Sequence, residues 1–303
     1  MDPNLEYWHN NGKSFLSRLR IWLNILDPSS ILSSDVEIEN ARSLIRGEGN
    51  QLKNEKVSSA WNLSLCSVHA DTGELISPVF RPQGNTHPQV ASSIPHLQFI
   101  LQSYCAGFNH ANRNATATPN KPSLKQALLI TGTVTYSTFV GALPQIIIQR
   151  LAVSSSSAQA FCRSVLPVPL SACLAAFSVF VVRSEESENG IKVFDSSGNS
   201  VGVSKEAAFK AVKETAISRA ALFGITAVVP NLLVLLLKRT RLAQRNPMML
   251  APVRHISTAI ALGLMIPVSF SLFPQLGKIK KEHLEKELQS LTDDGELFYH
   301  RGL

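Results

Sequence analysis

The polar side chains best placed to do chemistry lie inside apolar stretches of the chain. Gln145 directly follows Pro144, and Asn231 directly follows Pro230, each within a long apolar run. Proline removes a backbone hydrogen bond from a helix and leaves a carbonyl oxygen free. A neighbouring amide can satisfy that carbonyl in a packing kink. It can also face a polar path, as in the broken helices of transporters, and the sequence leaves both interpretations open.

Arg163 is a third candidate, near the start of another apolar run. A charge at the centre of a bilayer costs about 3 kcal/mol or more. We therefore expect the long side chain of Arg163 to snorkel toward the polar interface. Arg219 and His255 also lie near the ends of apolar runs, and we expect the same of them.

Neither an enzyme motif nor a set of metal ligands stands out. The sequence contains no phosphate-binding loop, no nucleophile elbow and no dinucleotide-binding glycine pattern. Four histidines cluster in the first half of the chain, but without the spacing of metal ligands: His69, His87, His96 and His110. We therefore predict a protein that is not an enzyme, with no catalytic residue, no metal site and no cofactor.

Long apolar runs in the second half of the chain are the elements that would position Gln145, Arg163 and Asn231. A membrane helix needs about 20 mostly apolar residues, and four runs reach that length: about 124–148, 160–182, 216–237 and 251–273. Residues 94–111 are less regular, and they either cross the membrane or form a re-entrant piece. The predicted fold class is an all-α polytopic membrane protein with four to five transmembrane helices, bundled over residues 124–274.

The first 93 residues form a polar N-terminal region with amphipathic helices. Helical spacing and capping residues predict helices at 14–26, 34–46 and 53–68. The stripe in Ser14–Leu26 suits an interfacial helix on the membrane, and equally a helix packed on its own soluble domain. Asp27-Pro28 is expected to end that helix.

Two polar segments flank the last two spans. In the loop 183–215, two β-like runs around Ser197-Gly198-Asn199 predict a β-hairpin. Ser204 then caps a helix that continues into the third long span without a breaker. In the C-terminal tail, 275–303, we predict an amphipathic helix at Lys278–Leu291.

The net charge of +7 belongs to a chain whose mean hydropathy, +0.08, averages a polar half and an apolar half. Nucleic acid is not an expected partner, because no basic stripe interleaves with aromatic residues. The basic connector 238–254 is instead typical of a loop on the cytoplasmic or matrix side. With five crossings the N-terminus shares that side, and with four it moves to the opposite side, where the tail lies.

Several stretches resemble the sideroflexin family nearly end to end. His69-Ala70-Asp71-Thr72-Gly73-Glu74 is similar to the family's His-Pro-Asp-Thr-Gly-Glu, and Asn109-His110-Ala111-Asn112-Arg113 to its Asn-Tyr-Thr-Asn-Arg signature. Leu272-Phe273-Pro274-Gln275 also matches. The candidate signature residues are His69, Asp71, Thr72, Gly73, Asn109, Asn112, Arg113, Pro274 and Gln275. The resemblance implies a multi-pass protein of the mitochondrial inner membrane, usually with five spans.

The resemblance also carries two expectations about function. Val79-Phe80-Arg81-Pro82 and Phe298–Gly302 look most like a divergent branch that is associated with assembly of respiratory complex I and with iron–sulfur and iron homeostasis. For that role the implied partners are complex I assembly intermediates or assembly factors, and the lipid bilayer. The alternative is a carrier of serine and related amino acids for one-carbon metabolism, as in other members.

Departures from the family pattern favour the assembly role. Ala70 replaces a proline, and Cys105 stands where transporters have an asparagine. The end of the second span, Phe177–Val182, lacks the usual asparagine and proline. The interval Pro82–Pro95 is short and polar, so the first span is expected to be truncated.

Overall fold

The computed structural model shows a mostly helical chain with one small β-sheet. It describes residues 2–26, 32–48, 55–82, 95–114, 124–150, 155–240 and 246–303. The predicted helix end at Asp27-Pro28 and most of the interval Pro82–Pro95 lie outside the described residues.

The N-terminal region contains four helices: α1 (Pro3–Asn11), α2 (Phe15–Ile25), α3 (Asp35–Glu48) and α4 (Glu55–Ser67). The last three fall where the sequence predicted them. Asp2 caps α1, since its carboxylate accepts from the backbone N–H of Asn4, and Ser14 and Ser17 form a reciprocal capping box on α2.

Three described helices are long and apolar enough to cross a membrane: Leu124–Pro144 within α6 (Leu124–Arg150), α10 (Lys205–Leu237) and α11 (Leu250–Ser271). The expected four to five spans are therefore not confirmed. The less regular segment forms α5 (Pro95–Ala111), a helix of 17 residues that falls short of that length and composition.

The predicted span 160–182 is interrupted. A short helix, α7 (Ser156–Ala160), leads into a π-helical turn at Phe161–Val165, and α8 (Pro167–Val182) follows with only 16 residues. The short helix α9 (Ser184–Asn189) comes after α8. Pro167 occupies the start of α8, where the absence of an N–H costs nothing, so a new helix begins there. The π-helical turn therefore divides the predicted span between α7 and α8, while the backbone stays helical at Leu166.

α10 is the single long helix that the sequence predicted. Ser204 caps it by accepting from the backbone N–H of Ala207 at 3.0 Å. The helix then runs through Pro230 and packs against α8 and α11. Gly224 faces Ala172 of α8, where an added Cβ would lie 3.4 Å from the Ala172 Cβ. Small residues thus permit this close approach of two helices.

The predicted hairpin is confirmed as β1 (Ile191–Phe194) and β2 (Ser200–Ser204). The predicted tail helix is wrong. That segment forms β3 (Leu276–Lys280), a one-turn α12 (Lys286–Gln289) and β4 (Glu296–His300). The strands make one antiparallel sheet in the order β2-β1-β4-β3. Along β3, Ile279 is buried between exposed Lys278 and Lys280, a period-2 alternation that fits a strand.

Two cores meet along α10. Its first half packs beneath the sheet through Ala207, Ala208 and Ala211, against Val193 and Leu297 among others. Its second half joins the membrane helices and α2 in an apolar cluster that includes Trp8, Trp22, Phe108, Leu222, Leu262 and Phe270. α2 thus packs on the bundle as well as on the N-terminal helices, while Leu16 and Leu23 stay exposed on its outer face.

Candidate functional site

The first family-like motif folds into a tight turn. The backbone N–H of His69 donates to the Glu74 carbonyl at 2.9 Å, and the N–H of Gly73 donates to the His69 carbonyl at 2.8 Å. Val68 and Leu75 pair across the base of the turn. Gly73 has a φ of +72°, a left-handed conformation that side chains with a Cβ disfavour. The glycine of the motif is therefore required by backbone geometry.

His69 ties this turn to the end of α5. Its Nε2 lies 2.6 Å from the carbonyl oxygen of Arg113, which can only accept. Its Nδ1 lies 3.3 Å from the backbone N–H groups of Asp71 and Thr72, which can only donate. These partners assign the ring proton to Nε2, so His69 is a neutral structural link.

The same turn is held from two further sides. Arg42 of α3 donates to the Gly73 carbonyl at 3.1 Å and pairs with Asp2 at 2.9 Å. Asp71 lies 3.6 Å from the ammonium group of Lys192 on β1. The motif therefore connects the N-terminal helices, the end of α5 and the sheet.

Asn112 and Arg113 continue this connection at the end of α5. The amide Nδ2 of Asn112 donates to the carbonyls of Phe80 and Phe108, both at 2.9 Å. The Asn112 carbonyl accepts from the backbone N–H of Leu303 at 3.2 Å. Arg113 lies 3.9 Å from Glu185, and burial lowers the pKa of Arg113 from its ordinary value.

A buried ion pair, Arg183 with Glu186, lies next to Asn114 at the end of this segment. Arg183 follows α8 directly and donates through Nε and Nη2 to the Glu186 carboxylate, while Nη1 donates to Thr215 at 3.0 Å. Asn114 donates at 2.9 Å to Oε2 of Glu186, the oxygen that also accepts from the Arg183 Nη2. Arg183 and Glu186 are 0 % and 3 % exposed. Burying both charges is costly, and the surrounding hydrogen bonds are what offset that cost.

The tail enters this network through His300. The Asn114 amide donates to the His300 carbonyl at 3.0 Å, and the His300 Nδ1 lies 2.8 Å from the Asn114 Oδ1. Burial, together with the nearby charges, lowers the pKa of His300 to about 3. The ring is neutral at physiological pH. Because the Asn114 Oδ1 can only accept, the ring proton lies on Nδ1, which donates to that oxygen.

Gln275 and Arg301 close the network on the membrane side. The backbone N–H of Arg301 donates to the Gln275 carbonyl at 2.9 Å, and the Arg301 Nη2 donates to the Phe270 carbonyl at 3.1 Å. With its amide oxygen facing Arg301, Gln275 accepts from that Nη2 at 3.1 Å and donates to the Gly302 carbonyl at 3.3 Å. Burial lowers the pKa of Arg301 to about 10.

We call this set the polar joint: His69, Asn112, Arg113, Asn114, Arg183, Glu186, Gln275, His300 and Arg301. A cavity of about 30 Å³ lies beside it, lined among others by Trp22, His69, Asn112, Gln275 and His300. The Trp22 Nε1 and the Asn112 Oδ1 are buried and have no hydrogen-bond partner among the residues that the structure describes. The space suits one or two water molecules that bridge such groups.

The family model described as Sideroflexins matches residues 2–303. The chain belongs to the sideroflexin family. It is 63 % identical to Sideroflexin-4 of zebrafish, Danio rerio, over 100 % of both chains. Human Sideroflexin-4 is 36 % identical, with 100 % of this chain and 93 % of the relative covered, and human Sideroflexin-5 is 30 % identical, with 96 % and 90 % covered. No solved structure matches.

In this sideroflexin the predicted signature residues mostly converge. The turn of His69, Asp71, Thr72 and Gly73 reaches Asn112 and Arg113, and Gln275 follows Pro274 into the polar joint. Asn109 is the exception: it is 3 % exposed, and its Oδ1 has no partner among the described residues.

The candidates in the apolar runs lie elsewhere. Asn231 donates to the Ser164 carbonyl at 3.1 Å, donates to the Ala227 carbonyl at 2.9 Å and accepts from Arg254 at 3.1 Å. The side chains of Gln145 and Arg163 lie outside the described part of the structure. His255 is exposed, but Arg219 is only 4 % exposed, so the expected snorkelling of Arg219 is wrong.

Sequence reasoning did not single out five of the nine residues of the polar joint as site residues. Arg183 and Glu186 stand three residues apart just after an apolar run, which is a weak signal of an ion pair at a helix end. Asn114, His300 and Arg301 carry no local signal, because their partners are up to 186 residues away. No group of three potential metal ligands occurs among the residues that the structure describes.

Proposed function

We propose that this sideroflexin is a non-enzymatic assembly factor for respiratory complex I in the mitochondrial inner membrane. The observation that carries the proposal is the polar joint. Most of its residues are buried, and together they hold the N-terminal helices, the sheet and the membrane helices in contact. Such an arrangement suits a rigid, membrane-anchored scaffold, and the similarity to Sideroflexin-4 relatives supports the same choice.

The proposed partners are complex I assembly intermediates or other assembly factors, held beside the bilayer by α6, α10 and α11. The N-terminal helices and the sheet present the polar surface that such partners would contact. The proposal includes a link to iron–sulfur and iron homeostasis, for which the resemblance to the divergent branch is the support.

The test is the amount of assembled complex I on a native gel. Cells that lack the protein are rescued with this chain in medium containing excess serine and glycine. We expect complex I to fall on loss and to return with rescue. The second arm is rescue with Asn231→Leu, which removes the amide in the bundle and leaves the polar joint intact. An assembly factor predicts that this variant also restores complex I. Unchanged complex I in the deficient cells would overturn the proposal.

A second candidate function is amino-acid transport, with serine as the first substrate to test. The observation that favours it is the junction at Asn231, which joins α10 to the π-helical turn through Ser164 and to α11 through Arg254. Polar groups at broken helices build the substrate sites of many transporters.

Serine uptake into proteoliposomes tests this candidate. Carrier activity predicts uptake that collapses in Asn231→Leu and Asn109→Ala. A matched control is Asn199→Ala, since Asn199 lies in the exposed hairpin turn and, within the described part of the chain, its hydrogen bonds go to Asp195 of the same turn. Uptake no faster than in empty liposomes would exclude the carrier function.

A further inference from the structure

The helix α2 lies against the end of a membrane-spanning helix. Its Arg18 Nε donates to the Ser271 carbonyl at 2.9 Å, and Trp22 packs on Phe270 with ring centroids 4.9 Å apart. Ser271 is the last residue of α11, which has 22 residues. A helix of that length rises about 33 Å, close to the ~30 Å thickness of the hydrocarbon core. The middle of α2 therefore lies at the level where this span reaches the membrane surface.

Around its axis, α2 has three sides of different character. The residues that pack on the protein share one side: Arg18, Ile21, Trp22 and Ile25. An exposed apolar side comes next, with Phe15, Leu16 and Leu23 at 39 %, 73 % and 58 % exposure. The exposed polar residues Arg20 and Asn24 lie beyond it. This order suits a helix with protein on one side, lipid beside it and water beyond.

The exposed apolar side of α2 adjoins the lipid-facing surface of the bundle. On α11, Leu264 is exposed, as expected of an apolar side chain that a spanning helix turns toward lipid. Leu272, which is also exposed, directly follows Ser271, the residue to which Arg18 is bonded. The apolar surface that faces the bilayer therefore continues from α11 toward α2.

The charge of α2 suits the surface of a membrane. The helix contains no acidic residue. Its exposed Arg20 lies one turn after Leu16, and Lys13, just before the helix, is exposed as well. A long cationic side chain can lay its methylene groups on an apolar surface and keep its charge at the headgroups. Anionic lipids attract such cations near the bilayer surface.

We propose that α2 is an interfacial anchor for an anionic lipid membrane. Phe15, Leu16 and Leu23 insert into the bilayer that α11 crosses, and Lys13 and Arg20 bind anionic headgroups there. Because α2 also packs on α4, its insertion holds the N-terminal region at the membrane surface. The anchor goes beyond the assembly role and does not depend on it.

Quenching of tryptophan fluorescence by brominated lipids tests the insertion. Leu23→Trp is introduced into the full chain, in nanodiscs of phosphatidylcholine and phosphatidylglycerol with or without bromine on the acyl chains. The parent chain supplies the background of its three tryptophans, all of them buried. We expect bromine to remove roughly half of the added emission, since an interfacial helix buries its apolar side about 5–10 Å deep.

Asn24→Trp is the matched control. Asn24 neighbours Leu23 and is also exposed, but it lies on the polar side of α2. Its tryptophan should keep its intensity in brominated nanodiscs and emit at the wavelength of an indole in water. Leu16→Trp is a second insertion variant, which should be quenched like Leu23→Trp and decides if that variant does not fold.

Thermal unfolding tests the headgroup contact. Nanodiscs that contain phosphatidylglycerol should raise the Tm of the parent chain above its value in phosphatidylcholine alone, by roughly 2–4 °C. Arg20→Gln should lose at least about half of this shift, because one of two cations is removed. Lys286→Gln removes an exposed cation from α12 in the tail and should keep the whole shift.

Insertion is overturned if tryptophans at positions 16 and 23 escape quenching as the one at position 24 does. Unquenched emission at short wavelength would then assign a protein surface, such as a second copy of the chain, to this side of α2. Unquenched emission at long wavelength would assign water. An equal shift of Tm in the parent chain and in Arg20→Gln overturns the headgroup contact. Neither measurement involves complex I, so either proposal can fail alone.

Discussion

Arg183, at the end of α8, donates through Nη2 to the carbonyl oxygen of Arg301 at 2.8 Å, across a separation of 118 residues. The same nitrogen donates to Glu186, so one guanidinium joins the end of α8 to the residue that follows β4. An added Cβ on the next residue, Gly302, would lie 2.5 Å from that nitrogen, which explains why a glycine follows Arg301. The tail is thus an integral part of the fold.

Glu186→Gln should destabilise the protein strongly. The substitution keeps the shape of the side chain but leaves the fully buried Arg183 without a counter-charge, at a cost of about 3–5 kcal/mol. Thermal unfolding of the purified variant measures the loss. Lys125→Gln is the control, because the Lys125–Glu188 pair is exposed and contributes at most about 1 kcal/mol. Equal effects of the two substitutions would refute a special role for the buried pair.

His300 makes stability depend on pH in a defined window. An unfolded histidine titrates near pH 6.5, whereas His300 in the fold has a pKa of about 3. Between these values the unfolded chain binds a proton that the folded chain does not. Stability is therefore complete above about pH 6.5 and falls as pH decreases toward 3, by up to about 1.4 kcal/mol per pH unit.

Denaturant unfolding of the parent chain and of His300→Gln, at pH 7 and at pH 5, isolates this contribution. The variant should lose stability at pH 7, because Asn114 loses its partner, but should change less between the two values. Identical pH dependence in both proteins would show that His300 is not the responsible group.

Gly73→Ala should cost about 1–2 kcal/mol, because the φ of +72° at this position is strained for a residue with a Cβ. Gly47→Ala is the opposite case. Gly47 lies within α3, and an added Cβ would meet nothing within 4 Å, so we expect about 0.5–1 kcal/mol of stabilisation. Thermal unfolding of both variants checks the difference in sign.

Ser204→Ala should destabilise the start of α10 by about 1 kcal/mol. The hydroxyl of Ser204 is buried and satisfies the backbone N–H of Ala207, which no other group reaches within the helix. Hydrogen exchange of the amides at 205–208 measures local opening there. Unaltered protection of these amides would mean that other contacts hold the helix end, among them the Glu285 carboxylate, which accepts from the N–H groups of Lys205 and Glu206.

The sequence alone determined the elements whose causes are local. Apolar runs specified α6, α10 and α11, helical stripes with capping residues specified α2, α3 and α4, and the turn at Gly198 specified the hairpin. The family also followed from sequence, because its motifs are short and contiguous. These features depend on neighbours within a few residues, which is why spacing revealed them.

Only the tertiary structure decided the rest. The tail formed strands instead of a helix because β4 pairs with β1 about a hundred residues earlier, and those hydrogen bonds outweigh local preference. The polar joint depends in the same way on partners distant in sequence. Arg219 is buried against two rings, although its position near the end of an apolar run suggested a route to the interface. Where a side chain has its partner far along the chain, its local sequence carries no record of that partner.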